Sequence, residues 1–413
     1  MKLGRHHFSK DLRKKVPTTC LMLLVGMLLS QPSFAGDREQ AKRIHDRIAG
    51  VPPSQAVLDT LEGMVASGNP LDAAAEAMNN PAFYSVTLKN LVTPWTNEAQ
   101  TVFADLNDYT ATVIGIVLKD YDFRRILYDD ILFVADPSLG LTPYSTTNNN
   151  HYKEIEAQNV DMTTDLIETT QSSVSNFPAS AAAGVTTTRA AAKAFFIDGT
   201  NRAMFRFTLM NQLCTDLEPI KDITRPSDRI RQDVSRSPGG DSRIFLNSCI
   251  GCHSGMDPLA QAFAYYEFNH DVTNDPDGDN GELVYNDVGA VDSVTGTQVQ
   301  WKYFNNNENF KPGYVTLDDR WDNYWRNGPN SLLGWDTGRP SGGNGAKSMG
   351  QELANSDAFA SCQVKKVFKS VCLRPPVDST DHAQIDSMTS SFKSGGYRLK
   401  QVFAESAVYC MGD

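Results

Sequence analysis

Cysteine and histidine, two residue types that commonly bind metals, are scarce in this sequence, with seven of each among 413 residues. One Cys-x-x-Cys spacing occurs, and neither a second such pair nor a closely spaced pair of histidines accompanies it beyond residue 35. A structural zinc site needs four ligands, usually supplied by two such pairs. The sequence therefore argues against a structural zinc site of the common type.

Long hydrophobic runs are also scarce. The one that stands out, Cys20 to Leu29, is too short to span a membrane. It follows a stretch with six basic side chains and precedes a small-x-small motif that ends at Ala35. This order of segments is typical of a signal peptide. We predict a signal peptide over residues 1–35, cleavage after Ala35, a periplasmic or secreted location and no membrane span in the mature chain.

Basic residues are outnumbered by acidic ones, with 38 Lys and Arg against 49 Asp and Glu and a formal net charge of −11. Removal of residues 1–35 takes away six basic side chains and one acidic side chain, which leaves 32 against 48 and a net charge of −16. Such a charge disfavours binding to nucleic acid or to an anionic membrane. We expect a partner with a basic docking surface and no nucleic acid.

The one Cys-x-x-Cys pair carries the clearest chemical signal, because Cys249-Ile-Gly-Cys252-His253 has the spacing that attaches a c-type haem. Each thiol can add across one vinyl group of the porphyrin, and the adjacent imidazole then reaches the iron as the proximal ligand. A dithiol redox pair is the alternative interpretation, but it leaves His253 unexplained. We predict one covalent haem c held by Cys249, Cys252 and His253.

The second iron ligand is less clearly indicated by the sequence. A haem that transfers electrons usually has two protein ligands, whereas one that performs chemistry leaves one side of the iron open. Met256 lies one turn beyond His253 on the same helix face, which favours core packing. We predict Met349 as the distal ligand because it follows a glycine-rich loop that could fold around the ring. His270, Met411 and an open distal site are the alternatives.

Four further cysteines of the mature chain, Cys214, Cys362, Cys372 and Cys410, predict two disulfides in an exported protein. Cys362 and Cys372 lie on one predicted helix, and ten residues separate them by roughly 15 Å, which is beyond disulfide reach. Two pairings survive, and we prefer Cys214–Cys362 with Cys372–Cys410. Buried free thiols are the alternative.

Hydrophobic periodicity predicts a mainly α, multi-helix exported protein with a c-type haem-binding domain and a small β-hairpin insertion. The longest stretch with helical periodicity runs from Glu98 to Leu118. The predicted organisation is a signal peptide over 1–35, an N-terminal helical domain over 36–140, a connecting helical and loop region over 141–240, a haem c domain with a Trp-rich insertion over 241–345, and a C-terminal helical domain over 346–413.

The acidic segment Asp275 to Glu282 resembles a calcium loop only in part. Counted from Asp275, position six is Asn280 instead of glycine and position twelve is Asn286 instead of glutamate. We therefore expect a solvated turn without calcium. Alternation beyond it predicts a β-hairpin from Glu282 to Tyr303, with its turn at Thr295-Gly296.

Four of the five tryptophans fall between residues 301 and 335: Trp301, Trp321, Trp325 and Trp335. Such a stretch after a haem motif could pack over the porphyrin and donate indole N–H groups to its propionates. It could also line a substrate groove or form a minor core. The sequence leaves these three interpretations open.

Two stretches resemble the planctomycete-type cytochrome c proteins. The first runs from Cys249 to Phe263, with the string C-x-x-C-H-x-x-M-D-P-L, and follows Asn211-Gln-Leu-Cys214. The second, Leu353 to Phe368 with Gly396-Tyr-Arg-Leu-Lys400, is similar to the small helical domain that closes that architecture. The resemblance covers roughly residues 195–410. It departs where Ala260 replaces a usual glycine and where the Trp-rich residues are inserted.

The resemblance implies haem binding at Cys249, Cys252 and His253, a mostly helical structure and an exported location, without a firm reaction or substrate. We predict one-electron transfer with a redox protein. A haem enzyme of peroxidase or oxidase type, with an open distal face and His270 as the nearest acid–base residue, is the first alternative. A haem-stabilised adaptor or binding protein is the second, because one electron carrier needs only about 100 residues.

Overall fold

A computed structural model describes residues 35–196, 201–224, 238–301 and 316–412. Helices account for 57% and strands for 7% of the structure, so the mainly helical prediction is confirmed. The predicted signal peptide lies outside the described residues except for Ala35, as do residues 302–315 of the predicted Trp-rich insertion.

The N-terminal part is built from short helices that the chain itself caps. The helix that starts at Gln55 is capped by Ser54, whose side chain accepts the N–H of Val57. The helix predicted from Glu98 begins ten residues later, because the Asn107 side chain accepts the N–H of Thr110 and caps it there. The helices up to residue 118 are Asp37–Ala49, Gln55–Ala66, Pro70–Ala77, the π-helix Phe83–Leu88, Lys89–Val92 and Asp108–Leu118.

The remaining helices fall into a middle group and a C-terminal group. We call the helix Ile250–Ala260 the motif helix, because it carries the Cys-x-x-Cys-His sequence. The middle group is Asn150–Ala157, Met162–Asp165, Gln171–Val174, Arg189–Phe196, Asn201–Leu213, Ser242–Ile244, the π-helix Phe245–Cys249 and the motif helix. The C-terminal group is Gly345–Ala354, Asp357–Cys372, Ser379–Ser394 and Leu399–Tyr409.

The described strands form three separate antiparallel pairs. The first pair lies among the N-terminal and middle helices, and the other two follow the motif helix along the chain. The pairs are β1 (Leu132–Ala135) with β2 (Leu166–Thr169), β3 (Tyr266–Asn269) with β4 (Glu282–Tyr285), and β5 (Arg320–Asp322) with β6 (Gly342–Asn344).

The predicted β-hairpin is present but has a different partner strand. β4 pairs antiparallel with β3, so the acidic segment connects the two strands of the observed hairpin. The chain also turns at Thr295-Gly296, but that turn joins no pair of described strands, and the predicted end of the hairpin at Tyr303 lies outside the described residues. The sequence Tyr266-Glu-Phe-Asn alternates buried and more exposed side chains, which gives β3 the pattern of a half-buried strand. β3 therefore pairs with β4 across the acidic segment.

The N-terminal and C-terminal helices share one hydrophobic core. The rings of Phe83 and Phe403 meet edge to face with their centroids 4.9 Å apart. Arg47 donates to the carbonyl of Cys410 at 2.6 Å, and the N–H of Phe123 donates to the carbonyl of Tyr397 at 3.0 Å. The two ends of the chain thus stabilise each other, while the predicted boundaries of the domains stay a prediction.

Two disulfides tie the C-terminal helices together. Cys214, just after the helix Asn201–Leu213, is bonded to Cys362 with a Cα–Cα distance of 5.2 Å. Cys372 is bonded to Cys410 with a Cα–Cα distance of 5.5 Å. This is the preferred one of the two pairings that the helix geometry allows. Within the described residues, no helix has both the length and the apolar character needed to cross a bilayer.

We expect the double variant Cys372→Ser/Cys410→Ser to unfold at a lower urea concentration than the wild type. The two cysteines are separated by 38 residues in the sequence. Loss of the bond raises the conformational entropy of the unfolded chain, which lowers the free energy of unfolding by about 4 kcal/mol in the chain-entropy description. Urea titration followed by circular dichroism measures the change. An unchanged midpoint would show that this bond contributes no stability.

Candidate haem-attachment site

The two motif cysteines lie at the start of the motif helix. Cys249 ends the π-helix Phe245–Cys249 and caps the motif helix, and Cys252 lies three residues further on. Residues three apart share a helix face. Neither cysteine forms a disulfide, and both are partly exposed. Both thiols are thus available, side by side, to a ligand that approaches this face.

His253 is held by a carboxylate of its own helix. Its Nδ1 lies 2.7 Å from Oδ1 of Asp257, one turn further along, and the Asp257 side chain is fully buried. An ionised carboxylate only accepts hydrogen bonds, so Nδ1 carries a proton, and in the neutral imidazole Nε2 then keeps its lone pair. No hydrogen bond to a described residue engages Nε2, and the side chain keeps 18% of its surface exposed. This is the state in which an imidazole binds iron.

Apolar side chains lie exposed beside the two thiols. Ile244 and Leu246, in the helical turns before Cys249, each keep 46% of their surface exposed. Ile223 is 72% exposed and packs against the backbone of Gly251, between the two cysteines. Contiguous exposed apolar surface often marks a binding site. A flat apolar ligand such as a porphyrin would cover them.

The segment of residues 220–224 fixes the first turn of the motif helix. The N–H of Asp222 donates to the carbonyl of Gly251 at 2.8 Å. The Ser254 hydroxyl donates to the carbonyl of Asp222 at 2.7 Å. Asn330 in turn donates to the carbonyl of Ile220 at 2.7 Å. These bonds fix the position of the helix turn that carries Cys252 and His253.

Three of the four clustered tryptophans are buried core residues. The indole of Trp321 donates to the Ser348 hydroxyl at 2.7 Å, and that of Trp335 donates to the carbonyls of Trp325 and Asn330, both at 3.1 Å. The minor-core interpretation therefore holds for Trp321 and Trp335. Nε1 of Trp325 is buried without an acceptor among the described residues, and Trp301 is exposed.

The predicted distal ligand lies in the core. Met349 is only 1% exposed, on a helix that packs against the segments Phe123–Leu127 and Gln261–Phe263. Met256 is also a core residue. His270 follows β3, with its ring centroid 5.7 Å from that of Phe268. The distal ligand therefore stays a prediction.

In the acidic segment, the carboxylate of Asp275 bonds to the backbone of its own turn. The two carboxylate oxygens of Asp275 accept the N–H groups of Asp279 and Asn280 at 2.8 and 2.7 Å, as in a turn that closes on itself. Among the described residues, no group of three or more His, Cys, Asp or Glu side chains could hold a metal ion.

The dithiol alternative is not favoured by the surroundings of the cysteines. Redox-active Cys-x-x-Cys pairs contain a thiol whose pKa is lowered, so that it reacts as a thiolate. Burial raises the pKa of the Cys252 thiol instead, and nearby Glu218 acts in the same direction. Cys252 therefore does not carry the acidic thiol that dithiol exchange uses.

No protein-family model, curated protein or solved structure matches this chain. The resemblance to planctomycete-type cytochrome c proteins accordingly stays a prediction that rests on the motif residues. The geometry of the site has to carry the functional argument. A sequence signal that could have been used further is Asp257, which lies four residues after His253 and thus on the same helix face.

We expect Gly255→Ala to destabilise the protein, because a Cβ at this position would lie 2.0 Å from Nε1 of Trp325. Overpacking of this kind costs about 1–3 kcal/mol. Gly63→Ala is the matched control, since Gly63 also lies inside a helix but has no atom within 4 Å of the added Cβ. The control should gain about 1 kcal/mol. If urea unfolding showed that both substitutions change the free energy of unfolding in the same direction, the close packing of Trp325 on Gly255 would be contradicted.

Proposed function

We propose that this chain is an exported monohaem c-type cytochrome that exchanges single electrons with a redox protein. One observation carries the proposal: two free thiols and an imidazole with an available Nε2 lie together at the start of one helix. In thioether formation, each S–H adds across one vinyl double bond, so a carbon–sulfur bond forms and the hydrogen goes to the other vinyl carbon. No oxidant is required.

The residues around the motif fit a haem. Cys249 and Cys252 would hold the porphyrin and His253 would bind the iron, while Ile223, Ile244 and Leu246 would lose their exposure to water. Each buried methylene group contributes about 0.8 kcal/mol. When bound, the haem supplies a one-electron couple. The protein keeps the ligand ring in one orientation through the bond to Asp257.

The location and the partner follow from independent features. The predicted signal peptide and the two disulfides both favour an oxidising, exported compartment, which is also where haem c is attached in bacteria. The net charge of −16 after residue 35 favours a partner with a basic docking surface. These properties support an electron carrier more than a nucleic-acid or membrane-binding protein.

A haem enzyme with an open distal side is the second candidate, because both Met256 and Met349 are core residues. An enzyme would leave one coordination position of the iron free for its substrate. His270 would then be the nearest acid–base residue along the chain. Ligand binding to the iron separates the two candidates.

We expect Cys249→Ser/Cys252→Ser to lose the covalent haem, because neither thioether bond can form. The protein is expressed with its signal peptide in a bacterium that attaches haem c, and haem is stained on a denaturing gel. Cys372→Ser/Cys410→Ser is the matched control, since it changes two cysteines without touching the motif. Unchanged haem stain in Cys249→Ser/Cys252→Ser would overturn the cofactor assignment.

We expect the haem iron of the purified wild-type protein to be six-coordinate, and the reduced protein to bind carbon monoxide slowly. If Met349 is the distal ligand, Met349→Leu opens the iron to carbon monoxide and removes the methionine–iron charge-transfer band, while Met256→Leu leaves both unchanged. Visible spectra of the oxidised and reduced forms measure this. A high-spin wild type that binds carbon monoxide at once would favour the enzyme.

A further inference from the structure

The carboxylate of Asp257 has a place in the structure that the haem motif alone does not explain. Resting on the proposed haem attachment, we propose that Asp257 is a positioning residue that sets the reduction potential of the iron through His253. Its Oδ1 lies 2.7 Å from Nδ1 of His253, and its side chain is fully buried. The bond joins residues four apart on the motif helix.

The position of Asp257 in the helix is unfavourable without a donor. It lies in the last turn of the motif helix, where the negative end of the helix dipole disfavours a carboxylate, and it is followed by Pro258. A buried carboxylate also requires hydrogen bonds that replace water. The N–H of His253 supplies one of them. Charge and burial thus both favour a role that is tied to the imidazole.

The hydrogen bond fixes the orientation of the imidazole as well as its proton. The terminal torsion of a histidine side chain is broad, so an unanchored ring turns easily. Here Asp257 holds Nδ1 on one edge, and the ring of Phe245 lies with its centroid 5.9 Å from that of His253. Nε2 is then directed away from the helix. Partners of this kind raise the basicity of a metal-bound histidine.

A negative charge at this distance favours the more positive oxidation state of the iron. Reduction adds one electron and no proton, so Fe(III) loses one positive charge, and the carboxylate makes that loss less favourable. Asp257 is buried, and water therefore screens this effect weakly. Glu218 also acts electrostatically on Cys252, but its side chain is 74% exposed and pairs with Lys221 at 2.6 Å. Its influence on the iron should be much smaller.

The test compares the reduction potentials of haem-loaded wild type, Asp257→Asn and Glu218→Gln by spectroelectrochemical titration. Both variants remove one carboxylate charge and keep the size of the side chain. We expect Asp257→Asn to favour reduction at least about tenfold, which is about 59 mV for one electron. Glu218→Gln should change the same equilibrium less than about threefold. Equal shifts in the two variants, or no shift in Asp257→Asn, would overturn the role of Asp257.

A second measurement covers the case in which Asp257→Asn does not fold with haem. In reduced wild type with 15N-labelled histidine, Nδ1 of His253 should resonate downfield of Nδ1 of His45, which lies 3.0 Å from the carbonyl oxygen of Val51. A carbonyl withdraws the shared proton less than a carboxylate does. Overlapping resonances would overturn the proposal. A wild type without covalent haem would instead overturn the proposed function itself.

Discussion

The arrangement of the candidate haem-attachment site depends on the close packing of Trp325 on Gly255. A Cβ at this position would overlap the indole, so only glycine lets the tryptophan pack directly on the backbone of the motif helix. Trp325 in turn lies 6.0 Å from Phe205, ring centroid to ring centroid. The motif helix is therefore fixed from its buried side, which leaves the cysteines on a partly exposed side.

This asymmetry suits an electron carrier. A protein that exchanges electrons has to bring its redox centre near the surface while it keeps the ligands rigid. Here the cysteines and their apolar neighbours are exposed, whereas Asp257 behind His253 is buried. Packing extends far beyond the motif, because the N-terminal and C-terminal helices share one core and two disulfides link helices within it.

Much of the secondary structure could be predicted, because periodicity and capping are local. Ser54 caps the helix that its position indicates. The predictions failed where local patterns compete. Asn107 rather than Glu98 starts a helix, since a capping side chain outweighs weak periodicity. β4 pairs with β3 instead of a later segment, and β3 has the alternation of buried and more exposed side chains that a half-buried strand shows.

The sequence by itself determined the chemistry of the motif, because Cys249, Cys252 and His253 are neighbours along the chain and their spacing needs no tertiary contact. It also limited the disulfides to two pairings, because helix rise separates Cys362 from Cys372. Only the tertiary structure decided between those pairings. It also placed Met349 in the core and divided the tryptophans between core and surface. These outcomes depend on contacts between residues far apart in sequence, which no local pattern encodes.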